Sequence, residues 1–240
     1  MKHIALIFAG GSGTRMSSGG RPKQFLCLHD KEIIIHTIEQ FEFHPRIDHI
    51  IVVCIESWIG FLEELIKKYQ LKKIVKIVPG GRNGQQSIFN GLKVINDIGE
   101  HNSLVLVHDG VRPLVTKDLI NENIDVAGKY GAAITVSPAI ETIVNLKNED
   151  IVGNIIDRSI SFYAKAPQSF KFGDLWTVHN KAIKDGVLDT IDSASLMVQY
   201  GYELKVVRCG PENIKITTPS DFYIFRALYE AKENSQIFGI

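Results

Sequence analysis

Short apolar runs bounded by polar residues or glycine recur along the chain, at residues 4–8, 50–55, 74–78, 104–107, 132–136 and 204–207. Each is too short for a helix and rich in Val and Ile, so each predicts a strand buried on both faces, as in a largely parallel sheet. Between the runs the spacing changes. Trp58, Phe61, Leu62, Leu65, Ile66 and Tyr69 recur every three or four residues, which predicts an amphipathic helix. Strand and helix alternate, and the class expected is an α/β layered sandwich.

One segment breaks the alternation. Residues 141–146 and 151–156 flank the polar stretch Lys147-Asn148-Glu149-Asp150, a pattern that predicts a β-hairpin. A hairpin fits poorly inside a parallel βα alternation, so residues 141–156 are expected to protrude as a lid or dimer arm. No linker, repeat or low-complexity tract interrupts the chain, and a single domain over 1–240 is expected with the hairpin as its excursion. Near the end, Thr218-Pro219-Ser220-Asp221 reads as a helix start. Phe222, Tyr223, Phe225 and Tyr229 after it are expected to pack in the core or at a dimer contact.

Composition narrows the functions. The 240 residues carry 27 Lys+Arg against 27 Asp+Glu, with 45% hydrophobic residues. This balance argues against a disordered chain and gives none of the basic excess expected of a nucleic-acid binder. The three cysteines (Cys27, Cys54 and Cys209) form no CxxC pair, so neither a disulfide framework nor a cysteine zinc site is indicated. The apolar run after Met1 has only five residues, too few for a signal peptide or a membrane span. A cytoplasmic protein without a membrane partner is expected.

The first strand runs straight into Ala9-Gly10-Gly11-Ser12-Gly13-Thr14-Arg15-Met16, followed by Arg21-Pro22-Lys23-Gln24. Glycines let the backbone bring its N–H groups close to an anion, and Arg15 and Lys23 supply positive charge. Taken alone, the triplet fits either a phosphate cradle or a tight packed turn. No Lys-Ser or Lys-Thr follows at P-loop spacing, and Met16 stands where the dinucleotide fingerprint needs a small residue. Neither a P-loop ATPase nor a nicotinamide dehydrogenase is favoured.

The string A-G-G-x-G-x-R-M with P-K-Q after it resembles the sugar-nucleotidyltransferase superfamily, and within it the IspD/TarI-type cytidylyltransferases. The resemblance continues through Gly80-Gly81-Arg82 with Ser87, His108-Asp109-Gly110-Val111-Arg112-Pro113, Glu141-Thr142-Ile143, Asp157-Arg158, Ala166-Pro167-Gln168 and Asn213-Ile214-Lys215-Ile216-Thr217. It implies a Rossmann-like three-layer sandwich of the nucleotidyltransferase type. It also implies a Mg²⁺-dependent enzyme that joins CTP to 2-C-methylerythritol 4-phosphate or to ribitol 5-phosphate, releasing pyrophosphate. The first product would feed isoprenoid precursors, the second a cell-envelope polymer.

Residue by residue, the resemblance implies that Ala9, Gly10, Gly11, Ser12 and Gly13 wrap the triphosphate, with Arg15, Lys23 and Lys215 as the catalytic cations. Gly80, Gly81, Arg82 and Ser87 would meet the cytosine and ribose, and Ser87 could instead cap the following helix. Asp109 is the metal-side candidate and, with Arg112, Thr142 and Arg158, the acceptor-side group. Arg112 either faces the acceptor or pairs with an acidic neighbour. The attacking group is the acceptor's own phosphate, already ionised at neutral pH, so no protein nucleophile is needed. A homodimer is implied in which the arm completes the opposing site.

The chain departs from the family spelling at Ala166, where Thr is usual, and at Ser193, where a second acidic residue is usual. Both acceptors stay open. The rival readings are a nucleotidyltransferase using another nucleotide or sugar phosphate, and a nucleotide-binding module without turnover. His108 is singled out among eight histidines only because it adjoins Asp109.

Overall fold

The computed structural model describes residues 1–11 and 20–238. In chain order the strands and helices are β1 (Lys2–Ala9), β2 (Cys27–Leu28), β3 (Lys31–Glu32), α1 (Ile33–Glu42), β4 (His49–Cys54), α2 (Ile59–Lys68), β5 (Ile74–Pro79), α3 (Gly84–Asp97) and β6 (Ser103–Asp109). There follow α4 (Lys117–Tyr130), β7 (Ala132–Pro138), β8 (Val144–Asn148), β9 (Ile151–Ile155), β10 (Phe162–Lys171), α5 (Phe172–Lys184), α6 (Ser193–Gln199), β11 (Lys205–Arg208) and α7 (Pro219–Phe238).

Seven strands form one sheet in the order β11-β7-β10-β6-β1-β4-β5. Only β10 runs against the rest, antiparallel to both β6 and β7. All six strands predicted from apolar runs lie in this sheet. β10 is the addition: Lys165 and Pro167 interrupt its apolar pattern, and the ladder to β7 shifts register between Lys165 and Gln168 to admit them.

The period of two along the strands sorts the core into two layers. Ala5, Ile7, Ile50, Val52, Leu104 and Leu106 face α1, α2 and α4 through residues such as Ile38, Leu62 and Ile120. Their neighbours Ile4, Leu6, Ile51, Val53, Val105 and Val107 face α3, α5 and α6 through Leu92, Leu175 and Leu196. This is the expected three-layer sandwich. Burying a side chain such as Leu92 contributes about 1.5–3 kcal/mol, so the even spread of apolar residues over both faces fixes the sheet between its helices. Phe225 of α7 closes a third cluster with Leu28, Ile33, Val111 and Ile216; Tyr223 beside it is exposed.

The chain leaves β1 toward β4 and β5, then returns to β1's other side with β6. Such a reversal opens a crevice at the carboxyl ends of the strands, and here those ends are Ala9 and Asp109. The hairpin β8–β9 stands apart as its own two-stranded sheet, and every residue of both strands is exposed. The turn is narrower than expected, because the Asn148 side chain accepts from the N–H groups of Asp150 and Ile151 and keeps Asn148 in the strand.

Candidate active site

Two glycine segments meet at the crevice. Gly10 follows β1 and Gly80 follows β5, and a Cβ built on Gly10 would stand 3.2 Å from the Gly80 Cα and 3.2 Å from Ser87 Oγ. The chain approaches itself backbone to backbone there, which requires glycine on both sides. Ser87 fixes the contact: its hydroxyl accepts from Gly81 N at 2.9 Å and donates to the Asn83 carbonyl at 2.8 Å. The cap of α3 is Asn83, whose side chain accepts from Gln86 N. Ser87 is therefore a tie between the loop and the helix, and its expected alternative role as the cap belongs to Asn83.

Gln24, buried in the short 3₁₀ helix Lys23–Phe25, donates to the carbonyls of Ala9 at 2.7 Å and Gly11 at 3.3 Å. It anchors the visible stem of the first loop. Ser12, Gly13 and Arg15 lie outside the described residues. Lys23 opens the 3₁₀ helix beside Gln24. Arg82 is exposed on the rim, its N–H donating to Gln86.

Across the crevice, β6 ends in a buried carboxylate held by two cations. Lys215 Nζ lies 2.6 Å from Asp109 Oδ1, and the Arg112 guanidinium reaches Oδ2 at 3.1 Å. Arg112 also donates to the Asn213 carbonyl at 2.6 Å. Burial pushes the Asp109 carboxyl up, but Arg112 and Lys215 together outweigh it and hold the group well below the usual carboxylate range. Arg112, itself buried, spends its donors on Asp109 and Asn213. It pairs with its acidic neighbour and orients Asp109, and it also lines the cleft in front of the cluster.

His108 is buried with Nε2 on the Arg112 carbonyl, and burial lowers its pKa to about 4. It is a neutral core residue despite its place beside Asp109.

A cleft of about 400 Å³ opens in front of this cluster, lined among others by Gln85, Asp109, Lys165, Asp192 and Lys215. Its back wall is tightly bonded. Gln168 donates to Asp192 Oδ2 and accepts from Ala194 N, while Asp192 Oδ1 caps α6 at Ser195 N. Gln85 straps the loop before α6 by donating to the Val187 carbonyl and accepting from Thr190 N. Gln24, Gln85, Lys165, Gln168 and Asn213 had no role assigned from the sequence. All but Gln85 sit inside or beside motif strings whose neighbours did.

Thr142 and Arg158 do not line this cleft. Both are exposed at the base of the arm, and Arg158 donates to the Ile140 carbonyl at 3.0 Å. One chain thus brings Asp109, Arg112 and Lys215 together and leaves Thr142 and Arg158 apart from them.

Among the described residues no group of three or more His, Cys, Asp or Glu comes together as a metal cluster. No helix there is long and apolar enough to cross a membrane.

The sequence profile described as IspD, 2-C-methyl-D-erythritol 4-phosphate cytidylyltransferase, matches residues 3–230. A ribitol-5-phosphate cytidylyltransferase of Vibrio parahaemolyticus is 51% identical over 237 residues, covering 99% of this chain and 100% of the relative. A 2-C-methyl-D-erythritol 4-phosphate cytidylyltransferase of Clostridium acetobutylicum is 39% identical over 236 residues, covering 97% and 99%. The crystal structure of the 4-diphosphocytidyl-2C-methyl-D-erythritol synthase of Anaerococcus prevotii superposes with a TM-score of 0.82 at 26% identity, over 95% of this chain and 96% of that one.

Proposed function

The chain belongs to the IspD family of cytidylyltransferases, and from that premise we propose that it transfers CMP from CTP to D-ribitol 5-phosphate, giving CDP-ribitol and pyrophosphate. The reaction class rests on one observation above the others: a buried carboxylate clamped by Arg112 and Lys215 at the strand ends that face the two glycine segments. The choice of acceptor rests on the 51% identity to the Vibrio enzyme named for ribitol 5-phosphate, against 39% to the Clostridium enzyme named for 2-C-methylerythritol 4-phosphate.

The chemistry needs little from the protein beyond placement and charge. An ionised oxygen of the acceptor's phosphate attacks the α-phosphorus of CTP, and the bond from that phosphorus to pyrophosphate breaks. Negative charge grows on the oxygens in transit, and fixed cations stabilise it. Lys215 supplies such a charge on the acceptor side; Arg15 and Lys23 supply it along the triphosphate. Arg112 keeps Asp109 ionised and Asp109 aims Lys215, so the ammonium is positioned before substrate arrives.

One carboxylate does not make a protein cage for a metal, but it suits Mg²⁺, which is commonly held by one or two carboxylates with substrate phosphates and water. Asp109 is the group that would hold it, and the ion would supply charge neutralisation on the triphosphate. CTP and the polyol phosphate are the partners of a single catalytic domain. The three cysteines are free thiols, which supports a reducing cytoplasm as its location.

The arm supports a homodimer. Val144, Leu146, Ile151, Val152 and Ile155 expose apolar surface on it, and Thr142 and Arg158 at its base stand outside the cleft of their own chain that holds Asp109 and Lys215. The arm of one subunit completes the cleft of the other with these two residues. Mixing an Arg158→Ala chain with a Lys215→Ala chain tests this, since a mixed dimer regains one intact site. Recovery of activity on mixing is expected; two inactive variants that stay inactive together, or a fully active monomer by light scattering, rule the arrangement out.

The acceptor is tested by offering equimolar D-ribitol 5-phosphate and 2-C-methyl-D-erythritol 4-phosphate with CTP and weighing the products by mass spectrometry. CDP-ribitol in large excess is expected, and the methylerythritol product in excess overturns the assignment.

A further inference from the structure

The wall of the cleft opposite the glycine segments carries a third cation with no established task. Lys165 lies on β10 where the ladder to β7 shifts. Its ammonium is half-buried and lines the same cleft as Asp109 and Lys215. Among the described residues it is held by two backbone carbonyls, Pro211 O at 3.2 Å and Asn213 O at 3.1 Å. No carboxylate stands within ion-pair distance of it among the described residues. Burial pushes its pKa down and Arg112 acts in the same direction; Cys209 and Glu212 only partly offset them.

A half-buried ammonium without a counter-ion is costly unless a ligand supplies one. Asn213 makes the crowding acute, because its carbonyl takes both Arg112 and Lys165. Arg112 and Lys215 already take both oxygens of Asp109, and Lys165 brings a third cation to the same cleft with no carboxylate paired to it. An ammonium has three donors. Two go to the carbonyls, and the third has no partner among the described residues.

The sheet order says which substrate meets it. β10 lies beyond β6 from β1, so Asp109 separates Lys165 from the glycine segments expected to hold the triphosphate. We propose that Lys165 is an acceptor-binding residue, its ammonium donating to a phosphate oxygen of the polyol phosphate. The assignment rests on the reaction proposed above and adds to it a group that holds the second substrate.

The test is steady-state kinetics of Lys165→Met and Lys165→Arg, using whichever of the two polyol phosphates the wild-type enzyme turns over faster, so that a wrong guess about the acceptor's name leaves this test intact. A lost charge-assisted hydrogen bond corresponds to roughly a 10- to 100-fold rise in the acceptor's KM, with the KM for CTP within about twofold. Lys165→Arg recovers part of the loss. A residue that merely ties β10 to the loop before Lys215 would lower the melting temperature and impair both substrates alike. That pattern, or an unchanged acceptor KM in Lys165→Met, overturns the proposal. CTP-induced thermal stabilisation of each variant confirms that the nucleotide side remains folded.

Discussion

Asp109 and Lys215 stand 2.6 Å apart, carboxylate to ammonium, with the aspartate buried and the lysine side chain 42% exposed. The asymmetry separates their contributions. Asp109 holds two cations in place, and removing it leaves Arg112 buried without its partner, at a cost of about 3–5 kcal/mol. Lys215 is a partly solvated end group that the fold can lose. Lys215→Met is expected to lower turnover on the order of 10²-fold with a melting temperature close to wild type. Asp109→Asn is expected to lower both. Rapid-quench turnover and thermal melts check the pair, and a normal rate in Lys215→Met removes it from the catalytic set.

Acid should destabilise the protein before it titrates Asp109. His108 and His179 are buried, with folded pKa values lowered by burial to about 4, whereas in the unfolded chain they titrate near 6.5. Between those values the unfolded state binds more protons, so stability falls as pH falls, by on the order of 2 kcal/mol per histidine at pH 5. Asp109 is also shifted down, by Arg112 and Lys215 rather than by burial, so its contribution too is lost as pH falls, but only below the ordinary carboxylate range. Urea unfolding at pH 7 and pH 5 reads the slope. His179 has no hydrogen-bond partner on either ring nitrogen among the described residues and stacks on Phe89, so His179→Phe should remove its share of the slope. An unchanged slope in that variant contradicts this origin.

Gly10→Ala places a methyl 3.2 Å from both the Gly80 Cα and Ser87 Oγ. The two glycine segments must part by a few tenths of an ångström. A rise of about tenfold in the KM for CTP is expected, with the acceptor KM unchanged. Isothermal titration with CTP checks it, and wild-type affinity would remove the close approach from the nucleotide site.

Gln24→Leu leaves the Ala9 and Gly11 carbonyls without their side-chain donor. Loss of a buried bond of this kind costs about 1–3 kcal/mol. The variant should unfold at lower denaturant and bind CTP more weakly, while Gln24→Glu, which lacks the amide donor, should behave no better. Wild-type CTP binding in Gln24→Leu would detach this anchor from the loop's function.

Most of the sheet was legible because its strands are buried on both faces and spell themselves as Val/Ile runs. β10 was not, since Lys165 and Pro167 break its run and its pairing with β6 and β7 is decided by tertiary contact. At the site, the motif strings located Asp109, Arg112 and Lys215 but not their relation. Arg112 turned inward because Asp109 and Asn213 both offer it acceptors, and Ser87 became a tie because Asn83 takes the cap. The same strings contained Gln24, Gln168 and Asn213, whose tasks are packing-dependent hydrogen bonds that spacing does not encode.

The most direct measurement is pyrophosphate release by the purified protein with CTP and Mg²⁺, with D-ribitol 5-phosphate and 2-C-methyl-D-erythritol 4-phosphate in separate reactions and ATP, GTP and UTP as nucleotide controls. Release with CTP and D-ribitol 5-phosphate, at a kcat/KM well above every other pairing, is expected. Release that is fastest with another nucleotide or with the methylerythritol acceptor, or none with any pairing, contradicts the proposed activity.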